Sequence, residues 1–147
     1  MELEKLNLSW RGIISLSNKI VKKLKDKYPN ILDYEIIGLS RGGLIPAVII
    51  SNMLNIRKVY SIGMRSYTDT EKDHFEIYQV PEVSKMDKIL LIDDISDSGE
   101  SFISTKEMLV GKSVITASLT LKHKTKFKPD VFGKAVKDGV WVVFPWE

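Results

Sequence analysis

The amino-acid sequence predicts an α/β fold in which a mainly parallel sheet is flanked by helices. Short apolar runs rich in branched residues alternate along the chain with segments of helical periodicity, a pattern typical of parallel strands joined by crossover helices. A length of 147 residues suits one hydrophobic core, so we expect a single domain over residues 1–147.

The composition narrows the class of protein. A hydrophobic share of 44% and a charged share of 28% are ordinary for a folded domain, and a net charge of +3 argues against dedicated nucleic-acid binding. The lack of cysteine excludes disulfides, thiolate catalysis and cysteine-based zinc sites. No apolar run approaches the ~20 residues of a membrane span, and the first residues lack a signal-peptide pattern. We therefore expect a cytoplasmic protein without a membrane partner.

The first third of the chain is predicted to form helix, strand and helix. Ser9 is a candidate N-cap for a helix beginning at Trp10, and Pro29 ends that helix because the residue before a proline avoids helical angles. Residues 34–39 are predicted to be a buried strand. Residues 44–54 are predicted to be a helix that tolerates a proline in its first turn.

The alternation continues to the C-terminus. Two segments have no periodicity: 66–74, predicted to be a mobile loop, and 129–139, predicted to be irregular. The other predictions are strands at 58–64, 75–80, 88–94, 113–121 and 140–144, a helix at 98–109 and a basic connection at 122–128.

Chemically unusual residues follow the predicted strand ends. They lie at residues 40–43, 65–74 and 93–101 and at Lys122. Ligands of open parallel sheets bind beyond the carboxyl ends of the strands. We therefore expect these four groups to converge on one rim.

Two acids, Asp93 and Asp94, end the most apolar strand. Successive strand side chains point to opposite sides, so we expect one carboxylate to accept hydrogen bonds from ligand hydroxyls and the other to face a metal-bound water or a cation. A helix cap would account for Ser96 or Asp97 alone, but not for two charged residues ending a buried strand.

The turn after the acid pair is predicted to bind a phosphate. Free amides and the dipole at the start of the following helix favour a dianion, and Gly99 permits close backbone approach. Hydroxyl donors are expected from Ser98, Ser101 and Thr105. An acid pair beside a phosphate cradle matches the two demands of a ribose 5-phosphate.

Residues 89–101 (ILLIDDISDSGES) resemble the ribose-phosphate signature of type I phosphoribosyltransferases. The resemblance implies that family's fold with a small hood from the N- and C-terminal segments. It also implies transfer of a 5-phosphoribosyl group from phosphoribosyl pyrophosphate (PRPP), with Mg2+ as cofactor. By resemblance Asp93 and Asp94 hold the ribose hydroxyls and metal waters, Asp94 being the metal contact, and Asp97 is the general base. The 5′-phosphate is assigned to Ser96, Asp97, Ser98, Gly99, Glu100 and Ser101.

Two further segments are similar to the same family. Residues 39–46 (LSRGGLIP) resemble its pyrophosphate loop, which implies a strained or cis peptide near Ser40 and Arg41. Its pyrophosphate-binding residues are Ser40, Arg41, Gly42 and Gly43. The place of the flexible catalytic loop is taken by Arg65, Ser66 and Tyr67. Whether Arg65 or Lys72 supplies the second basic contact stays open.

The C-terminal third is similar to short microbial xanthine-guanine and hypoxanthine phosphoribosyltransferases. That similarity assigns Lys122 to the purine 6-oxo oxygen, Trp141 to stacking on the ring, and the backbone near Val142 and Glu147 to the base edge. An ammonium donates to a carbonyl but finds no acceptor in a 6-amino group. His123 stands where relatives carry proline, so the preference among guanine, xanthine and hypoxanthine stays open.

Several alternatives remain beside this interpretation. Trp141 could be a core residue, Lys122 a surface lysine, and Asp97 a cap. The chain could be a non-catalytic PRPP- or nucleotide-sensing regulator, with residues 122–128 as its only basic surface. A receiver-type phosphotransfer domain is excluded because its acid pair belongs near the chain start. The resemblance implies PRPP and a purine base as partners and a homodimer or homotetramer as assembly.

Overall fold

A computed structural model describes residues 3–70 and 72–147, with the backbone alone at 72 and 73. Within these residues the chain forms eight strands and three α-helices. The helices are α1 (Trp10–Lys27), α2 (Leu44–Leu54) and α3 (Glu100–Met108). The strands are β1 (Lys5–Asn7), β2 (Glu35–Ser40), β3 (Val59–Asp69), β4 (Lys72–Gln79), β5 (Lys88–Ser96), β6 (Ser113–Lys122), β7 (Val131–Val136) and β8 (Trp141–Val143).

The central sheet has six strands in the order β4-β3-β2-β5-β6-β7. Only β4 runs antiparallel to its neighbour in this sheet. From the adjacent strands β2 and β5 the chain departs in opposite directions, through α2 to β3 and through α3 to β6. This reversal creates a switch point, where the carboxyl ends of β2 and β5 leave a crevice for a ligand. The predicted α/β class is confirmed.

Helices cover both faces of the central strands. Ile36 and Leu90 face the core beneath α1 and α2, whereas Ile37 and Leu91 face the core that contains Phe102 of α3. Strands buried on both faces are continuously apolar, which is why the sequence pattern identified them. None of the helices in the described part of the chain has the length and apolarity needed to cross a membrane.

The predicted boundaries of the first two helices are correct. Ser9 caps α1, its Oγ accepting a hydrogen bond from the Gly12 amide at 3.0 Å. The predicted span of α2 is reproduced, with Pro46 buried in its first turn.

The prediction of a mobile loop at 66–74 is wrong. β3 continues to Asp69 and pairs with β4 as an antiparallel hairpin, in which Arg65 lies opposite Glu76 and Tyr67 opposite His74. This hairpin stands at the sheet edge with side chains exposed on β3, so no alternation of apolar residues marks it. Glu71 lies outside the described residues.

The prediction of an irregular segment at 129–139 is also wrong, because β7 runs through it parallel to β6. Gly133 interrupts the strand pattern there. A Cβ on Gly133 would lie 2.6 Å from the Leu119 carbonyl oxygen and 3.0 Å from Leu16 Cδ2 of α1. The glycine that hides β7 in the sequence is therefore what lets α1 pack against it.

The last predicted strand does not join the central sheet. β8 pairs in parallel with β1, and the backbone bonds Trp141 N to Glu4 O (2.8 Å) and Leu8 N to Val143 O (2.9 Å) extend this pairing. The N- and C-terminal segments thus form a separate two-stranded sheet, the hood that the resemblance implies.

Candidate active site

The turns after β2 and β5 lie side by side because these strands pair in parallel register, with Gly38 opposite Ile92. A cavity of about 450 Å³ opens at this edge. Its lining includes Ser40 and Gly42, Arg65 and Ser66 of the hairpin, and seven residues from 93 to 99. Three of the four groups predicted to converge therefore meet in one cavity, which we call the acid-pair cavity.

Asp93 and Asp94 both reach this cavity, so the expectation that they face separate surroundings is only partly correct. Asp93 folds back along the strand, and its Oδ1 accepts a hydrogen bond from the Asp94 amide at 2.8 Å. Burial, reinforced by the charge of Asp94, raises the pKa of Asp93 well above its ordinary value. Burial also raises the pKa of Asp94, which in addition borders a second cavity beside Arg41 and Glu147.

The loop between β2 and α2 lies against Asp94. The Ser40–Arg41 peptide is cis, as the resemblance implied. A Cβ on Gly42 would lie 2.6 Å from Asp94 Cγ, and one on Gly43 would lie 2.6 Å from the Ile92 carbonyl oxygen of β5. Both glycines are therefore required for the acid pair and this loop to approach each other.

The turn between β5 and α3 presents a helix start to the cavity. Gly99 adopts a left-handed φ of 91° and is the N-cap of α3. Ser98, Gly99 and Ser101 line the cavity, and the Ser98 hydroxyl accepts from the Glu100 amide at 3.3 Å. Backbone amides and hydroxyls here suit a phosphate.

Two of the predicted phosphate donors are engaged elsewhere. The Ser96 side chain is buried, and its hydroxyl donates to the Phe127 carbonyl (2.7 Å) beside Thr125 Oγ1 (2.8 Å). The buried Thr105 hydroxyl donates to the Ser101 carbonyl at 2.7 Å. The prediction that these hydroxyls are free phosphate donors is therefore corrected: both are bonded within the protein, although Ser96 itself lines the acid-pair cavity.

Asp97 stands exposed at the cavity rim. Its Oδ1 lies 3.6 Å from Lys124 Nζ, and Glu100 makes a similar pair with Lys126 at 3.8 Å. The N-cap position of α3 belongs to Gly99, so the capping alternative for Asp97 loses its basis. Nothing in the sequence pattern singled out Lys124 or Lys126 as neighbours of these acids.

The residues predicted for the flexible loop lie on the hairpin. Arg65 Nε pairs with Glu76 Oε2 at 2.5 Å, a hydrogen bond that raises the pKa of Arg65. Tyr67 stacks on His74 with ring centroids 5.0 Å apart, and both border an adjoining cavity of about 700 Å³. The side chain of Lys72, the other candidate cation, lies outside the described residues.

The predicted base-binding residues form a group of their own. Lys122 is buried, and its ammonium donates to the Val140 carbonyl, next to Trp141 on β8. Neither Lys122 nor Trp141 lines the acid-pair cavity. The Trp141 side chain is 55% exposed, which argues against the alternative that it is a core residue, whereas Val142 is buried. Sequence reasoning missed Trp146, which borders the second cavity beside Asp94.

Fold and site together place the chain in the class of α/β proteins that hold a phosphorylated, hydroxyl-rich ligand at the switch point of a parallel sheet. Within that class it belongs to the phosphoribosyltransferase family, since residues 2–147 match the Phosphoribosyl transferase domain. The family recognised from residues 89–101 is thereby confirmed.

Known proteins of this family resemble the chain over most of its length. It is 28% identical over 145 residues to a xanthine-guanine phosphoribosyltransferase of Cereibacter sphaeroides, covering 96% of this chain and 86% of the relative. It is 32% identical over 114 residues to the enzyme of the same name from Idiomarina loihiensis, covering 76% and 70%. The structure of a Helicobacter pylori xanthine-guanine-hypoxanthine phosphoribosyltransferase superposes with a TM-score of 0.84 at 27% identity, covering 98% of this chain and 94% of that one.

Proposed function

We propose that this chain is a purine salvage enzyme that transfers the 5-phosphoribosyl group of PRPP to guanine, xanthine or hypoxanthine and releases pyrophosphate. One observation carries the proposal: the acid pair, the β2–α2 loop and the start of α3 border a single cavity. The names of the Cereibacter and Idiomarina relatives support a 6-oxopurine as acceptor.

The two ends of the ribose 5-phosphate are bound by different groups in this proposal. The turn Ser98–Ser101 holds the 5′-phosphate through amides, hydroxyls and the α3 dipole. Asp93 and Asp94 accept hydrogen bonds from the ribose hydroxyls. The amides of the β2–α2 loop and the cation of Arg41 bind the pyrophosphate. Arg65, on the hairpin formed by β3 and β4, is the proposed second cation that binds the pyrophosphate.

The acid pair also fits a magnesium ion. Burial raises the pKa of both carboxylates, and the charge of Asp94 adds to the rise at Asp93, so a divalent cation would stabilise their ionised forms. Asp94 is the proposed contact. No cluster of three or more ligating side chains occurs among the described residues, which agrees with an ion held by one or two carboxylates together with substrate oxygens and water. When bound, Mg2+ neutralises charge on the departing pyrophosphate.

Asp97 is the proposed general base. Its carboxylate borders the acid-pair cavity on the turn between the acid pair and α3, and removal of a ring proton makes the purine nitrogen a better nucleophile. The hairpin lines this cavity through Arg65, Ser66 and Phe75, and its proposed role is to exclude water from the oxocarbenium-like ribose.

Purine recognition is assigned to Lys122 and Trp141. The Lys122 ammonium exchanges the Val140 carbonyl for the 6-oxo oxygen, and the exposed Trp141 ring stacks on the base. Stacking of this kind contributes about 1–3 kcal/mol without reading the base edge. We further propose a cytoplasmic homodimer or homotetramer, in keeping with the family.

A panel of acceptors tests the proposal. The protein is incubated with PRPP and Mg2+ and, separately, guanine, hypoxanthine, xanthine, adenine, uracil or orotate, and nucleotide is detected by chromatography. We expect product from at least one 6-oxopurine and none from the other three bases. Absence of product from all 6-oxopurines would refute the assignment.

A further inference from the structure

The chain between Lys122 and β7 packs against the turn Ser98–Ser101, which we call the phosphate turn. We call residues 124–127 the Thr125 segment. The Lys126 amide donates to the Ser98 carbonyl at 3.0 Å. The Phe127 ring stacks on the buried Phe102 of α3 with centroids 5.1 Å apart. This segment therefore contacts both the turn and the first turn of the helix behind it.

Gly99 sits directly against the Thr125 segment. A Cβ on Gly99 would lie 2.7 Å from Phe127 N and 2.9 Å from Thr125 Oγ1. The conformation of the turn before α3 therefore depends on the left-handed φ of 91° at Gly99 and on the packing of the Thr125 segment against that glycine.

One hydroxyl joins these contacts. Thr125 Oγ1 lies 2.8 Å from Ser96 Oγ and 3.1 Å from the Phe127 carbonyl, and it accepts from the Phe127 amide at 3.3 Å. Ser96 Oγ is itself 2.7 Å from the same carbonyl. Each hydroxyl has one proton, so one of the two donates to the Phe127 carbonyl and the other to its neighbouring hydroxyl. Removal of the Thr125 hydroxyl would also take this acceptor from the Phe127 amide.

The segment is also anchored on the side away from the cavity. The Thr125 amide donates to the Lys122 carbonyl at 3.2 Å, and the Lys124 amide donates to Asp138 Oδ1 at 2.9 Å. The strand end that carries the predicted base lysine is therefore tied, through Thr125, to the turn that is proposed to hold the phosphate.

We infer that Thr125 is a positioning residue for the phosphate turn: its hydroxyl fixes Ser96 and the space beside Gly99, so that the α3 amides stay aimed at the 5′-phosphate. Thr125 need not touch the ligand. The inference rests on the proposed function, because it concerns the phosphate half of the same site.

Two probes separate a local effect from a general one. Ribose 5-phosphate reports on the turn after β5, whereas pyrophosphate reports on the β2–α2 loop, and both are titrated calorimetrically with Mg2+ present. Thr125→Val, which keeps the shape but lacks the hydroxyl, is expected to weaken ribose 5-phosphate binding roughly tenfold, as for a misaligned charge-assisted hydrogen bond. Pyrophosphate binding should not change.

Matched variants control for loss of stability. Thr125→Ser keeps the hydroxyl and should restore binding. Thr116→Val removes a buried hydroxyl on β6 that bonds Asp130, and it should affect neither probe. If Thr125→Val does not fold, Ser96→Ala removes the partner hydroxyl and should show the same selective loss.

The outcomes distinguish the inference from the proposed function. If folded Thr125→Val binds ribose 5-phosphate as tightly as the wild type does, the inference is overturned and the proposed function stands. The same holds if the variant loses affinity equally for ribose 5-phosphate and pyrophosphate. A wild-type chain that binds neither probe would overturn the proposed function and the inference with it.

Discussion

Ionisation of Asp93 carries an electrostatic cost in the folded protein. Its carboxyl is buried beside Asp94 and receives one backbone amide at 2.8 Å, which does not replace the water it has lost. A costly carboxyl at the rim of a cavity is what the proposed role of Asp93 in ligand binding predicts.

We predict that Asp93→Asn stabilises the protein at neutral pH. The pKa of Asp93 is higher in the folded than in the unfolded state, so ionisation of Asp93 destabilises the folded protein. This destabilisation is absent below the pKa of the unfolded state, grows as the pH rises above it, and is complete once the pH exceeds the pKa of the folded state. The gain, about 1–2 kcal/mol at neutral pH, should shrink toward zero near pH 4. Urea unfolding in Mg2+-free buffer at several pH values measures it. The exposed Asp87→Asn serves as the control, and a gain independent of pH would contradict the assignment.

Asp97 leads to a prediction about turnover. If it is the general base, Asp97→Asn lowers kcat by roughly 10²–10⁴ while the KM for PRPP changes little. Initial rates with varied PRPP and saturating purine separate the two parameters. Glu107→Gln, on the exposed side of α3, provides a matched loss of charge. Unchanged turnover in Asp97→Asn would remove this carboxylate from the mechanism.

For single residues, the sequence predicted which acids reach the cavity better than it predicted which hydroxyls do. Two acids after an apolar run are unusual enough to indicate a ligand site from local sequence alone. Whether a hydroxyl faces the cavity or the interior depends on partners far along the chain, as with Ser96 and Thr125. Local sequence therefore could not show that Ser96 is turned inward.

The β2–α2 loop and the end of β5 act as one structural unit. Parallel pairing places the loop against Asp94, and the absence of a side chain at Gly42 lets the carboxylate occupy that space. A Cβ of ordinary size would either push Asp94 from the cavity or displace the loop.

We expect Gly42→Ala to abolish most activity and to weaken pyrophosphate binding while the protein still folds, because the clash is confined to the cavity rim. Gly12→Ala is the matched control. A Cβ there would lie 3.4 Å from Oγ of the N-cap residue Ser9, an ordinary contact, so this variant should be active and more stable by about 0.5 kcal/mol. Activity assays and thermal denaturation compare the two. A fully active Gly42→Ala would contradict the packing argument.

Elements buried on both faces were predicted closely, whereas towards the edges of the sheet the strands at 58–64 and 75–80 were predicted but β7 and the pairing of those two strands with each other were missed. β2, β5 and α2 have apolar patterns that their environment requires. The hairpin and β7 lie at opposite edges of the sheet, where exposure removes the pattern and, in β7, Gly133 breaks it. Their pairing comes from contacts with the neighbouring strand rather than from local preference.

On the scale of the whole molecule, the two termini build the part of the site proposed to bind the purine. β8 carries Trp141, and its pairing partner is β1 at the other end of the chain. Trp10 and Trp146 pack with ring centroids 5.9 Å apart and strengthen the same connection. The resemblance implied a hood built from the two termini, but a three-residue strand such as β1 has no sequence signal of its own, so local sequence could not predict its pairing with β8.

The pairing of β1 with β8 predicts that removal of residues 1–7 impairs purine binding selectively. Without β1, the backbone of β8 loses its partner and Trp141 loses its fixed orientation, whereas the acid pair and phosphate turn lie on β5 and α3 and are retained. We expect the KM for the purine to rise about tenfold, equivalent to about 1.4 kcal/mol, with little change in the KM for PRPP. Steady-state kinetics with each substrate varied in turn would show this, and removal of residues 1–3 alone, which leaves β1 intact, should be without effect. An equal rise in both KM values would instead indicate that β1 supports the whole fold.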